Sequence, residues 1–381
     1  MIKRIYIILI LAVFFATETT IAQENVGEQI KTIPANISKY VDGYLYDLTN
    51  YQGISYLNTM HTSGKVLGKW ELNLSLNAGT AFLFPHDMDI DFSQNFELKG
   101  LPPSIFGSGT SDGELFFRIF DDEGKILFDP FSGEQIGFSI PFLPGLESNL
   151  AYSPSVMPVI SLGIGFGTEI SVGALPGAIK AASGSLFDDF KVTEDMLLSA
   201  GIRHDVFHWV PALAKRNVRL TVGATYNKMT LKATAGQGLF DAFENINSEL
   251  IEATNNLTGV EYGFTSMGFE AMLSKKLSFI DLSLFASSNQ SDYYIQSEGN
   301  IVVKTANNFY PNNPQGYETT TLENLVDIEG NNKVFVYGAA VQFNLGRLSL
   351  GAKYGISDKK GHYATASLGF RILKEKESSE M

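Results

Sequence analysis

The sequence predicts an all-β fold, a transmembrane antiparallel β-barrel with a short N-terminal helical segment, and three observations carry that expectation. Between Trp70 and Gly79, Trp70, Leu72, Leu74, Leu76 and Ala78 alternate with Glu71, Asn73, Ser75, Asn77 and Gly79, the period of a strand with one apolar and one polar face. Such strands recur to the end of the chain, joined alternately by short turns and long connectors, the pattern of outer-membrane barrels. Ahead of them stands an export signal, with no later apolar run long enough for a spanning helix.

The signal occupies residues 1–22. Met1-Ile2-Lys3-Arg4 is a cationic start, Ile5 to Ala16 is apolar, and Thr20-Ile21-Ala22 before Gln23 offers small residues for cleavage. The chain is therefore expected in the cell outer membrane. It has 381 residues, 28 Phe, 16 Tyr, 36 Gly and no Cys, which removes disulfides and cysteine metal sites; a closed barrel satisfies its backbone without such staples. The net charge of -13 argues against nucleic acid as a partner.

Residues 23–64 form the expected helical segment or hatch. Tyr40, Val41, Tyr44, Leu45, Leu48 and Tyr51 lie at helical spacing, with Gly43 and Gly53 against it. Aromatic residues so spaced need a surface to bury against, which points to a plug inside the barrel or across its periplasmic mouth.

Residues 65–373 are the expected barrel. After Trp70 to Phe84 come Met157 to Phe166, Thr168 to Leu175, Met196 to His204, Val218 to Leu231, Tyr262 to Ser274, Leu277 to Ala286, Lys333 to Asn344, Arg347 to Gly355 and His362 to Leu373. Those ten are a floor. Met88 to Leu98 and Glu114 to Phe128 are weaker candidates, and an even total of about 12–14 strands is expected. Short turns are periplasmic in such barrels, so the N-terminus and the tail, residues 374–381, are both expected in the periplasm. Phe335, Tyr337, Ala339, Val341, Phe343 and Leu345 share a lipid face, whereas Arg347, Ser349, Gly351 and Lys353 share a lumen face.

Candidate chemistry is sparse. His204-Asp205-Val206-Phe207-His208-Trp209 is the one histidine cluster, but it lacks a third ligand or a catalytic partner at a recognisable spacing. A strand end entering a turn, with Trp209 in the interfacial girdle, explains it better. His61, His86 and His362 are isolated. Gly163-x-Gly165-x-Gly167 lacks a following helix and a Walker lysine, and small side chains on a crowded lumen face account for it. Ser287 to Glu329 reads as a solvated outer loop, and Leu239, Phe240, Phe243, Ile246, Leu250 and Ile251 as a short helix over the outer mouth. Phe106, Phe116, Phe117, Phe120, Phe128, Phe131, Phe138 and Phe142 form an aromatic segment that either lines a ligand path or faces lipid. No catalytic, cofactor or metal residue is expected, and the chain is not expected to be an enzyme.

Gly201-Ile202-Arg203-His204-Asp205 with Trp209-Val210-Pro211, preceded by Gly165-x-Gly167-Thr168-Glu169-Ile170, Leu175-Pro176 and Tyr56-Leu57-Asn58, resembles an uncharacterised family of gram-negative outer-membrane barrels. The likeness spans most of the mature chain and is distantly similar to the long-chain fatty-acid transporter group, whose barrels carry an N-terminal hatch in the lumen. The resemblance implies transport and assigns no substrate-binding residue, because its positions read as turns and strands.

The expected function is a monomeric porin-like channel or transporter for a small molecule, hydrophobic ones and lipids included, with the lipid bilayer and the barrel-insertion machinery as partners. The alternative is a structural or surface-interaction barrel that binds a partner through long outer loops.

Overall fold

A computed structural model describes residues 27–83, 90–100, 113–120, 124–128, 135–142, 151–176, 190–214, 216–235, 251–306 and 317–373, with positions 102 and 133. The signal, the tail, His86, Phe106, Phe131 and the span 236–250 lie outside these residues.

Ten strands close into one antiparallel barrel, and they are the ten that period-two alternation marks. In chain order they are β1 (Leu72–Leu83), β5 (Ala151–Gly165), β6 (Thr168–Pro176), β7 (Phe190–Asp205), β8 (Val218–Ala235), β10 (Gly259–Leu277), β11 (Ile280–Glu298), β14 (Asp327–Leu345), β15 (Leu348–Ser357) and β16 (His362–Leu373). The first strand seals the wall by pairing with both β5 and β16, Ala78 standing opposite Val156 on one side and Ala366 on the other.

The expected extra pairs are not staves. The short strands β2 (Phe96–Lys99), β3 (Glu114–Arg118) and β4 (Gly137–Pro141) form a separate three-stranded sheet. They are too short, since a crossing strand needs about 9–11 residues. Their apolar face is also engaged elsewhere: Leu115 and Phe117 pack in one core with Ile30, Ile33 and Ile37, while Lys99 bonds Glu114 at 2.6 Å and Arg118 pairs with Glu97 on the opposite face.

Ser287 to Glu329 is strand-rich where a loop was expected. It completes β11, adds β12 (Asn300–Ala306) and β13 (Tyr317–Glu323), and enters β14. In a second small sheet β12 pairs with β13 on one side and with β9 (Ile251–Asn255) on the other, so Ile251 lies on a strand where a helix was expected. Ile301, Val303 and Leu322 are buried, which explains why so polar a stretch folds back.

The wall is apolar outside and polar inside. Leu282 and Leu284 on β11 and Phe335, Tyr337 and Phe343 on β14 are exposed, whereas Ser283, Ser287, Asn289 and Asn332 are buried. Along β14 the apolar belt runs from Phe335 to Leu345, the length a tilted strand needs to cross a bilayer. Trp70, Phe166, Trp209 and Phe279 ring its short-turn rim, where an aromatic girdle belongs. Leu284, 65% exposed between Leu273 and Ala339, sits within the belt. Leu284→Arg should destabilise the barrel in bilayers by about 2–4 kcal/mol, and Gln290→Arg, beyond the belt on the same strand, should not. Urea unfolding in liposomes measures both.

The helix α1 (Ile33–Thr59) lies within the wall. Pro34 sits at its first turn, where a missing N–H costs nothing. Its buried residues include Tyr40, Tyr44, Tyr51, Ile54 and Tyr56, but also Asn36, Asp47, Asn50, Ser55 and Asn58. A helix buried on nearly every side shows no single apolar face, which is why the sequence pattern outlined it only in part. Gly53 is a requirement of the fit: a Cβ there would stand 2.1 Å from Ser291 Oγ and 2.2 Å from Ser266 Oγ. The residue that weakens the helix signal lets the helix reach the wall.

Candidate functional site: the plugged lumen

Contacts along α1 fix its direction. Near its start, Gln29 Nε2 donates to Phe120 O at 2.8 Å and Lys39 Nζ to Asp91 O at 2.9 Å, both partners lying between β1 and β5 at the long-loop end. Further down, Tyr293 Oη donates to Asp42 at 3.1 Å and Asn332 Nδ2 to Asn50 O at 2.7 Å. At the bottom, Ser55 Oγ lies 3.0 Å and Thr59 Oγ1 2.6 Å from Ser155 Oγ. The helix therefore enters at the long-loop end and descends. The expectation that the N-terminal segment starts on the same side as the tail is corrected: Gly27–Thr32 lies at the mouth opposite to Leu373. The even strand count still holds, because β1 starts at the short-turn end.

Its two halves meet different surfaces. Near the long-loop mouth the helix meets aromatic and aliphatic groups: Tyr40 stacks on Phe142 with centroids 5.9 Å apart, and Ile30, Ile33 and Ile37 join a core with Leu115, Phe117 and Ile119. Phe117 and Phe142 of the aromatic segment thus neither line an open path nor face lipid: they clamp the long-loop end of the helix, while Phe128 is exposed. Lower down the wall offers serines, asparagines and threonines beside a second apolar cluster, in which Tyr51, Ile54 and Leu57 of the helix meet Met272, Phe285, Val336 and Tyr363, and Tyr56 stacks on Phe264 at 5.8 Å.

The segment from Met60 to Glu71 leaves the helix and crosses the lumen as a floor. Seven strands hold it. Asn77 Nδ2 on β1 donates to Thr59 O and Met60 O at 3.0 and 3.1 Å. On β16 and β8, Ser367 Oγ lies 2.7 Å from Thr62 Oγ1, and Thr221 Oγ1 donates to Gly64 O at 2.6 Å. Lys353 Nζ on β15 donates to His61 O at 3.3 Å while paired with Glu270 of β10. On β5 the approach is backbone to backbone: Trp70 N donates to Gly163 O at 2.7 Å, and a Cβ at Gly163 would stand 1.9 Å from Gly68 O. The lumen-face reading of that glycine holds, while Gly165 and Gly167 take positive φ at the turn.

The densest anchor joins Glu169 of β6 to Arg203 of β7, residues paired across the two strands. Arg203 donates to Glu169 at 2.8–3.0 Å, to Lys65 O at 2.9 Å and to Ser63 O. The carboxylate also accepts from Leu67 N at 2.9 Å. Glu169 is 1% exposed, so charge, fork geometry and backbone donor compensate one another in a desolvated site. The two residues form a clamp on the backbone of 63–67.

The floor bounds a polar cavity of about 50 Å³ lined by His61, Lys65, Asn73, Asn77, Glu169 and Arg371, among others. That is room for one or two waters. Burial first, then the charges of Arg203 and Lys353, push the His61 imidazole well below its usual range, so it is neutral; its Nε2 lies 3.4 Å from Ser171 Oγ. Burial, then Arg371 and Arg219, push the Lys65 ammonium down to about 8, against the pull of Glu71 and Asp281. Nothing in the sequence spacing marked His61, which the fold brings beside Ser171.

The histidine cluster stands apart at the turn after β7. Asp205 caps the turn by accepting from Phe207 N at 3.1 Å, His204 Nδ1 lies 2.9 Å from Thr168 Oγ1, and Trp209 Nε1 donates to His204 Nε2 at 3.1 Å. Trp209 is 62% exposed, as a girdle residue should be. His362 pairs with Tyr354 Oη at 2.6 Å near the opposite end. Among the described residues no group of three His, Cys, Asp or Glu side chains is placed to hold a metal ion, and no helix is long and apolar enough to cross a membrane.

Solved structures similar to the chain include the translocator domain of the autotransporter NalP from Neisseria meningitidis, at 10% identity over 89% of this chain and 99% of that one, with a TM-score of 0.33. The outer membrane protease OmpT from Escherichia coli is 11% identical over 81% and 100%, TM-score 0.26. A FadL homologue from Pseudomonas aeruginosa is 9% identical over 84% and 97%, TM-score 0.23. No curated protein sequence matches the chain. A family model does match, over residues 1–373: the chain belongs to the family of unknown function DUF6588.

Proposed function

We propose that this DUF6588 member is an outer-membrane channel shut by its own N-terminal segment, which passes a small molecule when the floor is released. The observation that carries the reading is the chemistry of the closure. Met60 is held by an amide of the wall, Thr62 and Gly64 by hydroxyls, and Ser63 and Lys65 by a guanidinium, bonds that water replaces at little net cost. An interior packed only for stability has no need of them. The aromatic segment that suggested a hydrophobic cargo is engaged with the plug, so the polar lining of the cavity at the floor sets the character of the permeant, and a small hydrophilic solute fits it. Catalysis has no support in the described histidines: His204 is engaged at a turn, His362 with Tyr354 and His61 in the floor. Deleting Ile30–Thr59 removes the rod and leaves the floor tethered on one side. Reconstituted bilayers should then show channel steps that the intact protein lacks; unchanged conductance would remove the plug claim.

A second reading, a surface-interaction barrel, draws on the two small sheets at the long-loop end. Loop deletions that abolish partner capture and spare uptake would favour it.

A further inference from the structure

We infer that the plug is threaded through the barrel from the cell exterior, so that Gly27–Thr32 lies at the external mouth, with Glu28 and Lys31 exposed to the medium, while the other end of the same segment is clamped at the periplasmic mouth. The inference rests on the outer-membrane reading above. Its first leg is the contact ladder: Gln29 at Phe120, Asp42 at Tyr293, Asn50 at Asn332, Ser55 at Ser155 and Leu67 at Glu169 descend monotonically from the long-loop end to the short-turn end.

Its second leg is the position of the lipid belt. On β11 the outward residues are Leu282, Leu284 and Ala286 near the short turn, then Ser288, Gln290 and Asp292. On β8 and β10 the apolar rows give way at Lys228 and Thr265, which stand opposite each other, and Thr265 stands opposite Asp292. The belt hugs the short-turn end and the long-loop end stands clear of the bilayer into water. Barrels of this type place short turns in the periplasm and long loops outside.

The topology then restricts motion. Residue 71 leads directly into β1, whose ladder with β16 runs from Leu72 to Phe82. The segment cannot withdraw toward the periplasm unless its outer end first traverses the whole lumen. Glu28, Lys31 and Ala35 are exposed at the outer mouth, so the rod presents a short external handle connected through α1 to the Arg203–Glu169 clamp. A binder on the outside can hold or pull it; a binder in the periplasm reaches only the floor.

Single cysteines test this without background, because the chain has none. Glu28→Cys, Glu323→Cys on β13 and Arg216→Cys at the β7–β8 turn are each treated on intact cells, and again after permeabilisation, with a membrane-impermeant maleimide. Threading from outside requires Glu28→Cys to label on intact cells to the same extent as Glu323→Cys, with Arg216→Cys labelling only after permeabilisation. Labelling of Glu323→Cys but not Glu28→Cys on intact cells overturns the threading and leaves the barrel's orientation standing. Labelling of Arg216→Cys but not Glu323→Cys overturns the orientation, and with it the outer-membrane reading as drawn.

Discussion

Oxidising a Ser55→Cys/Ser155→Cys pair should silence any channel activity in reconstituted bilayers, and reduction should restore it. The hydroxyl oxygens of the two residues lie 3.0 Å apart, a separation that suits two side chains meeting across a disulfide. The chain has no other cysteine, so oxidation has one product within a molecule. The bond ties the last turns of α1 to the wall at β5, beside Thr59, just above the floor. Any opening that displaces the rod must break it. On the chain-entropy account, a link closing a loop of about 100 residues also stabilises by about 4–5 kcal/mol, which urea unfolding of the oxidised and reduced forms would report separately from conductance. Channel steps that persist in the fully oxidised protein would show that solute passes without movement of the helix against β5, and the plug would cease to be a gate.

How much of this was legible beforehand divides along physical lines. Every stave was readable, because a lipid face on one side and a polar lumen on the other enforce strict alternation. The strand total was not. Leu115 and Phe117 alternate with Glu114, Phe116 and Arg118 as a stave's residues would, and what excludes the segment is its length and the burial of Leu115 and Phe117 against Ile30, Ile33 and Ile37, visible only once partners are known. The helix was half legible for the opposite reason. It is buried all round, so Ser55, Asn58 and Thr59 belong to its contact surface as much as Tyr56 and Leu57 do, and no single apolar face emerges. Its direction left no mark at all, since a rod inside a cylinder satisfies the same pattern either way up.

The clamp residues were hidden in plain view. Glu169 and Arg203 belong to the turn-flanking motifs that carry the family likeness, and as residues of separate strands they carried no reading of their own. Strands β6 and β7 set them side by side in register, and the floor passing above them turns a wall pair into a clamp. That meeting of 63–67 with 169 and 203 spans more than a hundred residues of sequence, a separation no local period encodes. The barrel's closure is needed to create it.

The clamp yields the second large expectation. Arg203→Met leaves the Glu169 carboxylate buried with Leu67 N and Ser171 Oγ as remaining donors, and it strips Ser63 O and Lys65 O of the guanidinium. Breaking a buried pair from one side costs about 3–5 kcal/mol. Because the barrel ladders do not involve these side chains, that cost falls on docking of the floor. At about 1.4 kcal/mol per decade, the open fraction should rise a hundredfold or more, seen as frequent channel openings and as loss of hydrogen-exchange protection at the Leu67 amide. Glu169→Gln should act in the same direction through the stranded guanidinium. The double variant Glu169→Gln/Arg203→Met strands no charge, and its opening should fall below that of Arg203→Met alone, so the two substitutions are not additive. Additive effects, or a Leu67 amide as protected in Arg203→Met as in the unaltered protein, would show that the floor stays shut without the clamp and that its hold lies with Asn77, Thr221 and Ser367.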